Sequence, residues 1–131
     1  VVTTTYLDTS AAMKLVVAEA ESDALLDELE RADMQRRVVA SWLLHTELHC
    51  AAGRNPSRVR PEAITAVLDA TILVDVTRGD LLSAGTHTPL RSNDAIHLST
   101  ALRVGADEML TYDVEFADAA RYAGLRVVAP Q

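Results

Sequence analysis

Four acidic residues stand out by type and by place: Asp8, Glu47, Asp94 and Asp113. Asp8 and Asp113 end the short apolar runs "TTTYL" and "EMLTY", Asp94 opens the stretch "DAIHLSTALRV", and Glu47 interrupts an apolar helix pattern between Leu44 and Leu48. Carboxylates brought together repel and raise one another's pKa, a cost that a bound cation removes. An all-oxygen donor set selects a hard ion, Mg²⁺ or Mn²⁺, which keeps several waters and leaves room for a phosphate. Such an ion lowers the pKa of a bound water and polarises a phosphate, so the chemistry open to the four acids is hydrolysis of a phosphodiester. Each acid also has a plainer use. Asp94 suits the positive end of a helix dipole, Asp8 and Asp113 suit caps or turns, and Glu47 suits a solvated stripe; only convergence separates the two readings.

Ser10 and Thr111, each two residues from an acid, carry hydroxyls that can hold a carboxylate or a water, and Ser10 equally suits a helix cap. His97, one turn past Asp94, can touch substrate or orient a carboxylate, although a satisfied, partly buried histidine is the commoner fate of such a residue. In "HTELH" His45 and His49 share a helix face, but Glu47 lies two positions after the first histidine and about 200° around the helix, so the zinc-protease pattern fails. Arg54, Arg58 and Arg60 in "GRNPSRVR" form the densest basic patch, fit either for phosphate or for an ordinary solvated loop.

The elements that must position these residues alternate. Strands are expected at 3–8, 36–41, 71–76, 108–112 and 126–129, and helices at 9–20, 21–34, 42–53, 60–70, 78–87, 94–104 and 114–124. Thr9 or Ser10 is the expected cap of the first helix and Asn93 that of the helix from Asp94; Pro61 suits a helix start, and Gly53 and Gly105 suit helix ends. Leu25, Leu26 and Leu29 form the expected apolar stripe of the second helix. Strands alternating with helices imply an α/β protein with a parallel sheet of about five strands and helices on both faces. Ligands in such sheets gather beyond the carboxyl ends of the strands, where Asp8 and Asp113 both fall.

The chain's 131 residues suit one domain, with hydrophobic residues at 49% and neither a repeat nor a low-complexity tract. No apolar run approaches the ~20 residues that span a bilayer, and the expectation is a cytoplasmic protein. Cys50, the single cysteine, permits no internal disulfide and reads as a small buried residue. A net charge of −7 argues against a nucleic-acid partner until its distribution is considered. Residues 19–33 hold seven acids against Arg31, leaving about −1 for the rest of the chain. Two other acid-cluster proteins are excluded by residue type. A receiver-type phospho-acceptor needs a lysine near the last strands, and the only lysine is Lys14; an adhesion-type metal site needs a second hydroxyl where "DTSAA" has Ala12.

In their order, "YLDTSA", Glu47 after the second strand, "SNDAIHLSTAL" and "LTYDVEFADAA" closely resemble the PIN-domain ribonucleases, in particular the VapC toxins of toxin–antitoxin pairs. The resemblance covers essentially the whole chain. It implies a PIN-like three-layer α/β/α fold over residues 1–131 and a Mg²⁺- or Mn²⁺-dependent endoribonuclease toxin. It further implies a homodimer neutralised by a VapB-type antitoxin. Carried over by position, Asp8, Glu47, Asp94 and Asp113 are its catalytic and metal-binding quartet, Ser10 and Thr111 its hydroxyl neighbours, and Glu115 and Asp118 places where some relatives carry a further acid. Met13, Val16, Val17 and Leu25 are candidates for an antitoxin groove, with plain core as the alternative, and the acidic 19–33 stretch can steer a basic antitoxin. The rival reading is a catalytically inactive PIN fold that binds RNA or protein.

Overall fold

A computed structural model describes residues 1–31 and 35–131. Five parallel strands, β1 (Thr3–Leu7), β2 (Arg36–Ser41), β3 (Ile72–Val74), β4 (Glu108–Leu110) and β5 (Arg126–Val128), form one sheet in the order β3-β2-β1-β4-β5. Between them run α1 (Thr9–Val16), α2 (Ser22–Arg31), α3 (Leu43–Arg54), α4 (Pro61–Asp69), α5 (Arg78–Ala84), α6 (Ser92–Arg103) and α7 (Val114–Tyr122). Right-handed crossovers dictate the layers. The chain moves outward from β1 through β2 to β3 with α1–α4 on one face, then returns to β4 and β5 with α5–α7 on the other. The result is a three-layer α/β/α fold, and the direction of winding reverses between β1 and β4. A crevice opens at that reversal, beyond the strands' carboxyl ends.

The core follows from alternation along the strands and from the apolar helix stripes. Tyr6, Leu7, Leu44, Leu48, Leu98, Met109, Leu110 and Phe116 are fully or almost fully buried. Val16, Val17 and Leu25, candidates for an antitoxin groove, are buried in this core, and Met13 packs against it. Leu26, expected on the buried stripe of α2, is 46% exposed, because Leu25 alone takes the inward position on that turn. Cys50 is exposed rather than buried: the inward face of α3 is Leu44, Leu48 and Ala51, and a residue two positions after Leu48 points away from it.

Several boundaries shift for local reasons. The first helix ends at Val16, and Val17 is already extended (φ −130°, ψ 131°). Its cap is Asp8, neither Thr9 nor Ser10. The fourth helix begins at Pro61, and α3 runs one residue past Gly53. The expected end of the second helix at 34 lies outside the described residues. Gly105, at φ +71° after α6, takes the left-handed conformation that favours glycine.

One buried clamp fixes α6, which carries two of the singled-out residues. Asp80, 2% exposed, closes a capping box with Thr77 at the start of α5. Its carboxylate also accepts from Thr100 Oγ1 (3.1 Å) and Arg103 Nε (2.8 Å) on α6. Burial pushes this carboxyl upward, but Arg103, the Thr77 backbone and Thr100 outweigh burial and hold it below the usual range.

Candidate active site

Asp8 is the first residue past β1. As the N-cap of α1 it accepts from Ser10 N, and its Oδ2 also accepts from Ser10 Oγ and Thr111 Oγ1, both at 2.8 Å. Ser10 Oγ in turn accepts from Tyr112 N (2.9 Å), and Thr111 Oγ1 accepts from Asp113 N (3.1 Å). These bonds tie the turn after β1 to the turn after β4. Asp113 caps α7, with Oδ1 accepting from Phe116 N at 2.9 Å. The cap explanation is therefore correct for both aspartates, and it fixes both carboxylates at the mouth of the crevice.

Glu47 is no member of a solvated stripe. Its Oε1 accepts from Thr9 Oγ1 (2.8 Å) and faces His97 Nε2 at 2.5 Å. Burial raises the pKa of this carboxyl, but bonds from His97, Thr9 and Asn93 and the charge of His97 outweigh it, so the net shift is downward. His97 is fully buried rather than partly so. Asn93, expected as a helix cap, is not one: α6 begins at Ser92, and Arg91 occupies the N-cap position without a side-chain bond. Asn93 serves Glu47 instead.

Asp94 lies in the first turn of α6. Its carboxyl is pushed up to about 6, first by burial and then by the charges of Asp8 and Asp113, with Glu47 adding to the rise and His97 opposing it. The helix dipole would lower this value. Burial and three like charges prevail.

A single cavity of about 410 Å³ is lined by Asp8, Glu47, Asp94 and Asp113 together. Thr9, Ser10, Ser92 and Asn93 complete its polar wall, and among the described residues Arg91 is the one cation on it. The donor set fits a hard divalent cation, being all oxygen, held by hydroxyls and caps, and charged enough to repel itself. As the side chains stand, no three His, Cys, Asp or Glu among the described residues are close enough together to hold a metal ion. The four carboxylates line the cavity wall together.

Other candidates fall elsewhere. His45 and His49 stack at 4.2 Å, and His49 Nδ1 donates to the His45 carbonyl, so neither faces the acids. Arg54, Arg58 and Arg60 are exposed and do not line the cavity. Glu115 and Asp118 line a different groove of about 670 Å³, with Tyr122 and the 86–90 loop. That groove is larger, but only two acids reach it. Arg91 is a contributor that sequence reasoning missed, signalled only by its place just before "SND".

Comparison with known proteins bears on the whole chain. Residues 5–122 match the PIN domain family. The chain is 38% identical to Ribonuclease VapC46 of Mycobacterium tuberculosis, over 95% of its own length and 96% of that protein's. It is 31% identical to Ribonuclease VapC47 of Mycobacterium tuberculosis at the same coverage. Among solved structures, VapBC2 from Rickettsia felis, bound to a DNA fragment from its promoter, superposes with a TM-score of 0.75 at 16% identity, covering 98% of this chain and 99% of that one. Mycobacterium tuberculosis VapC20, described as a Sarcin-Ricin loop cleaving toxin, gives 0.68 at 18% identity, covering 96% and 99%.

Proposed function

The chain belongs to the PIN-domain family and, within it, to the VapC ribonucleases, and from that premise we propose that it is an endoribonuclease toxin dependent on Mg²⁺ or Mn²⁺. In this reading Asp8, Glu47, Asp94 and Asp113 are its catalytic and metal-binding residues. One observation carries the proposal: four carboxylates from four separate segments line one cavity at the point where the sheet's winding reverses.

A hard cation at the four acids supplies a water of lowered pKa and a counter-charge for the scissile phosphate. The remaining work belongs to the chain. Ser10 and Thr111 keep Asp8 turned toward the cavity, and Thr9 and His97 do the same for Glu47. Arg91, exposed on the rim, meets a backbone phosphate of the RNA and offsets the acidity of the wall.

The same reading makes the chain a single PIN domain over residues 1–131, a homodimer, and the partner of a VapB-type antitoxin whose basic side chain enters the acid cavity. No described helix is long and apolar enough to cross a membrane, and the proposed location is the cytoplasm. The rival, an inactive binding module, has no observation in its favour, since all four acids are present and supported. The deciding assay incubates purified protein with total RNA in Mg²⁺, in Mn²⁺ or in chelator. Cleavage in either metal, absent in chelator and absent for Asp94→Asn, is expected. Intact RNA under all conditions would leave the binding module as the better reading.

A further inference from the structure

A chain of hydrogen bonds runs through the core and ends on Glu47, and a backbone N–H that can only donate starts it. The backbone N–H of Ser41, the last residue of β2, donates to Tyr6 Oη at 3.0 Å. An oxygen that accepts there must place its own proton elsewhere, and His97 Nδ1 stands 2.6 Å away. Burial holds the Tyr6 phenol far above its ordinary range, so it keeps that proton. At the far side of the ring Glu47 Oε1, an ionised carboxylate oxygen, can only accept, so Nε2, 2.5 Å away, is the donor. The series crosses β2, β1, α6 and α3 in turn. Tyr6 and His97 are both 0% exposed and meet edge to face, with ring centroids 5.6 Å apart.

Packing alone does not account for this histidine. Leucine or phenylalanine would fill the volume without burying two ring nitrogens, each costly unless bonded. What imidazole adds is one N–H aimed at a carboxylate on the cavity wall. We propose that His97 is a positioning residue, oriented by Tyr6, which fixes the angle of the Glu47 carboxylate and so sets the cation affinity of a site that neither Tyr6 nor His97 lines. The proposal rests on Glu47 being a cation ligand, as argued above.

The test is Mn²⁺ binding by titration calorimetry, together with the melting temperature in chelator, for the full chain and five variants. His97→Ala should weaken Mn²⁺ binding by about 10-fold or more, the usual effect of losing a group that orients a ligand. His97→Gln keeps an N–H donor near the Nε2 position and should recover most of that loss. Tyr6→Phe should fall between the two. Ile64→Ala, a core truncation on α4, should lower the melting temperature and leave Mn²⁺ affinity unchanged. Asp94→Asn tests the underlying reading. If wild-type protein binds no Mn²⁺, or binds it as well after Asp94→Asn, the quartet reading falls and this inference with it. If those two behave as expected but His97→Ala binds Mn²⁺ like wild type, or His97→Gln is as weak as His97→Ala, the positioning role alone is overturned.

Discussion

Asp94→Asn should make the metal-free protein more stable while abolishing its activity. The side chain is nearly isosteric, so the main change is removal of a negative charge from a wall that already carries three. Raising this carboxyl from 3.8 to about 6 corresponds to roughly 3 kcal/mol for a fully shielded group. Asp94 is partly exposed, and solvent screening brings the figure to about 1–2 kcal/mol. The raised pKa belongs to the folded state, so between 3.8 and about 6 the folded protein holds a proton that the unfolded chain releases. The neutral carboxyl's share of stability is complete below pH 3.8 and lost as the pH rises through about 6. In calorimetric scans with chelator at pH 7.5, the variant should therefore melt about 4–8 °C above wild type. At pH 3.5 the advantage should vanish. Millimolar Mn²⁺ should reverse the order, because wild type gains stability by binding and the variant gains less. A variant no more stable than wild type at pH 7.5 in chelator would refute the account of repulsion at this wall.

Thr111→Val removes the 2.8 Å bond to Asp8 without changing shape, and the Mn²⁺ concentration for half-maximal cleavage should rise about 10-fold in a metal titration. Arg91→Ala should raise KM for RNA with kcat held, and lower the salt slope of RNA binding by about one, read by binding isotherms at graded salt. Asp80→Ala breaks the α5–α6 clamp and should cost about 2–3 kcal/mol in urea unfolding, less than a fully buried pair because Arg103 is 40% exposed and finds water.

What could be read from the sequence depended on how local the signal was. Each strand and helix has its own periodicity, and each of the four acids stands at an element boundary or interrupts an apolar pattern, so the fold class and the convergence of the quartet were both legible. The start of α6 differs by two residues because aspartate and asparagine both suit a cap, and that shift hides Asn93's place beside Glu47 on the cavity wall. The buried state of His97 was understated for a different reason. Its partners Tyr6 and Glu47 lie 91 and 50 residues away, and no local pattern encodes a bond across that distance. Residue type alone makes Cys50 a buried residue, whereas helix phase relative to Leu48 turns it outward.

The choice between cap and ligand that each aspartate presents in the sequence turns out to be no choice. A turn that ends a parallel strand and starts a helix needs an acceptor for free backbone N–H groups, and a carboxylate meets that need at the positive end of the helix. Asp8 and Asp113 do so on either side of the winding reversal, and Thr111 bonds to both turns at once. The folding of two helix starts thus concentrates negative charge in the crevice before any ligand is considered. Asp94 and Glu47 add to that charge from α6 and α3, and the crowding surfaces as the raised pKa of Asp94. Removing the Asp8 cap should therefore loosen α1 and relieve Asp94 together, whereas an acid held there only for metal binding would affect the second alone.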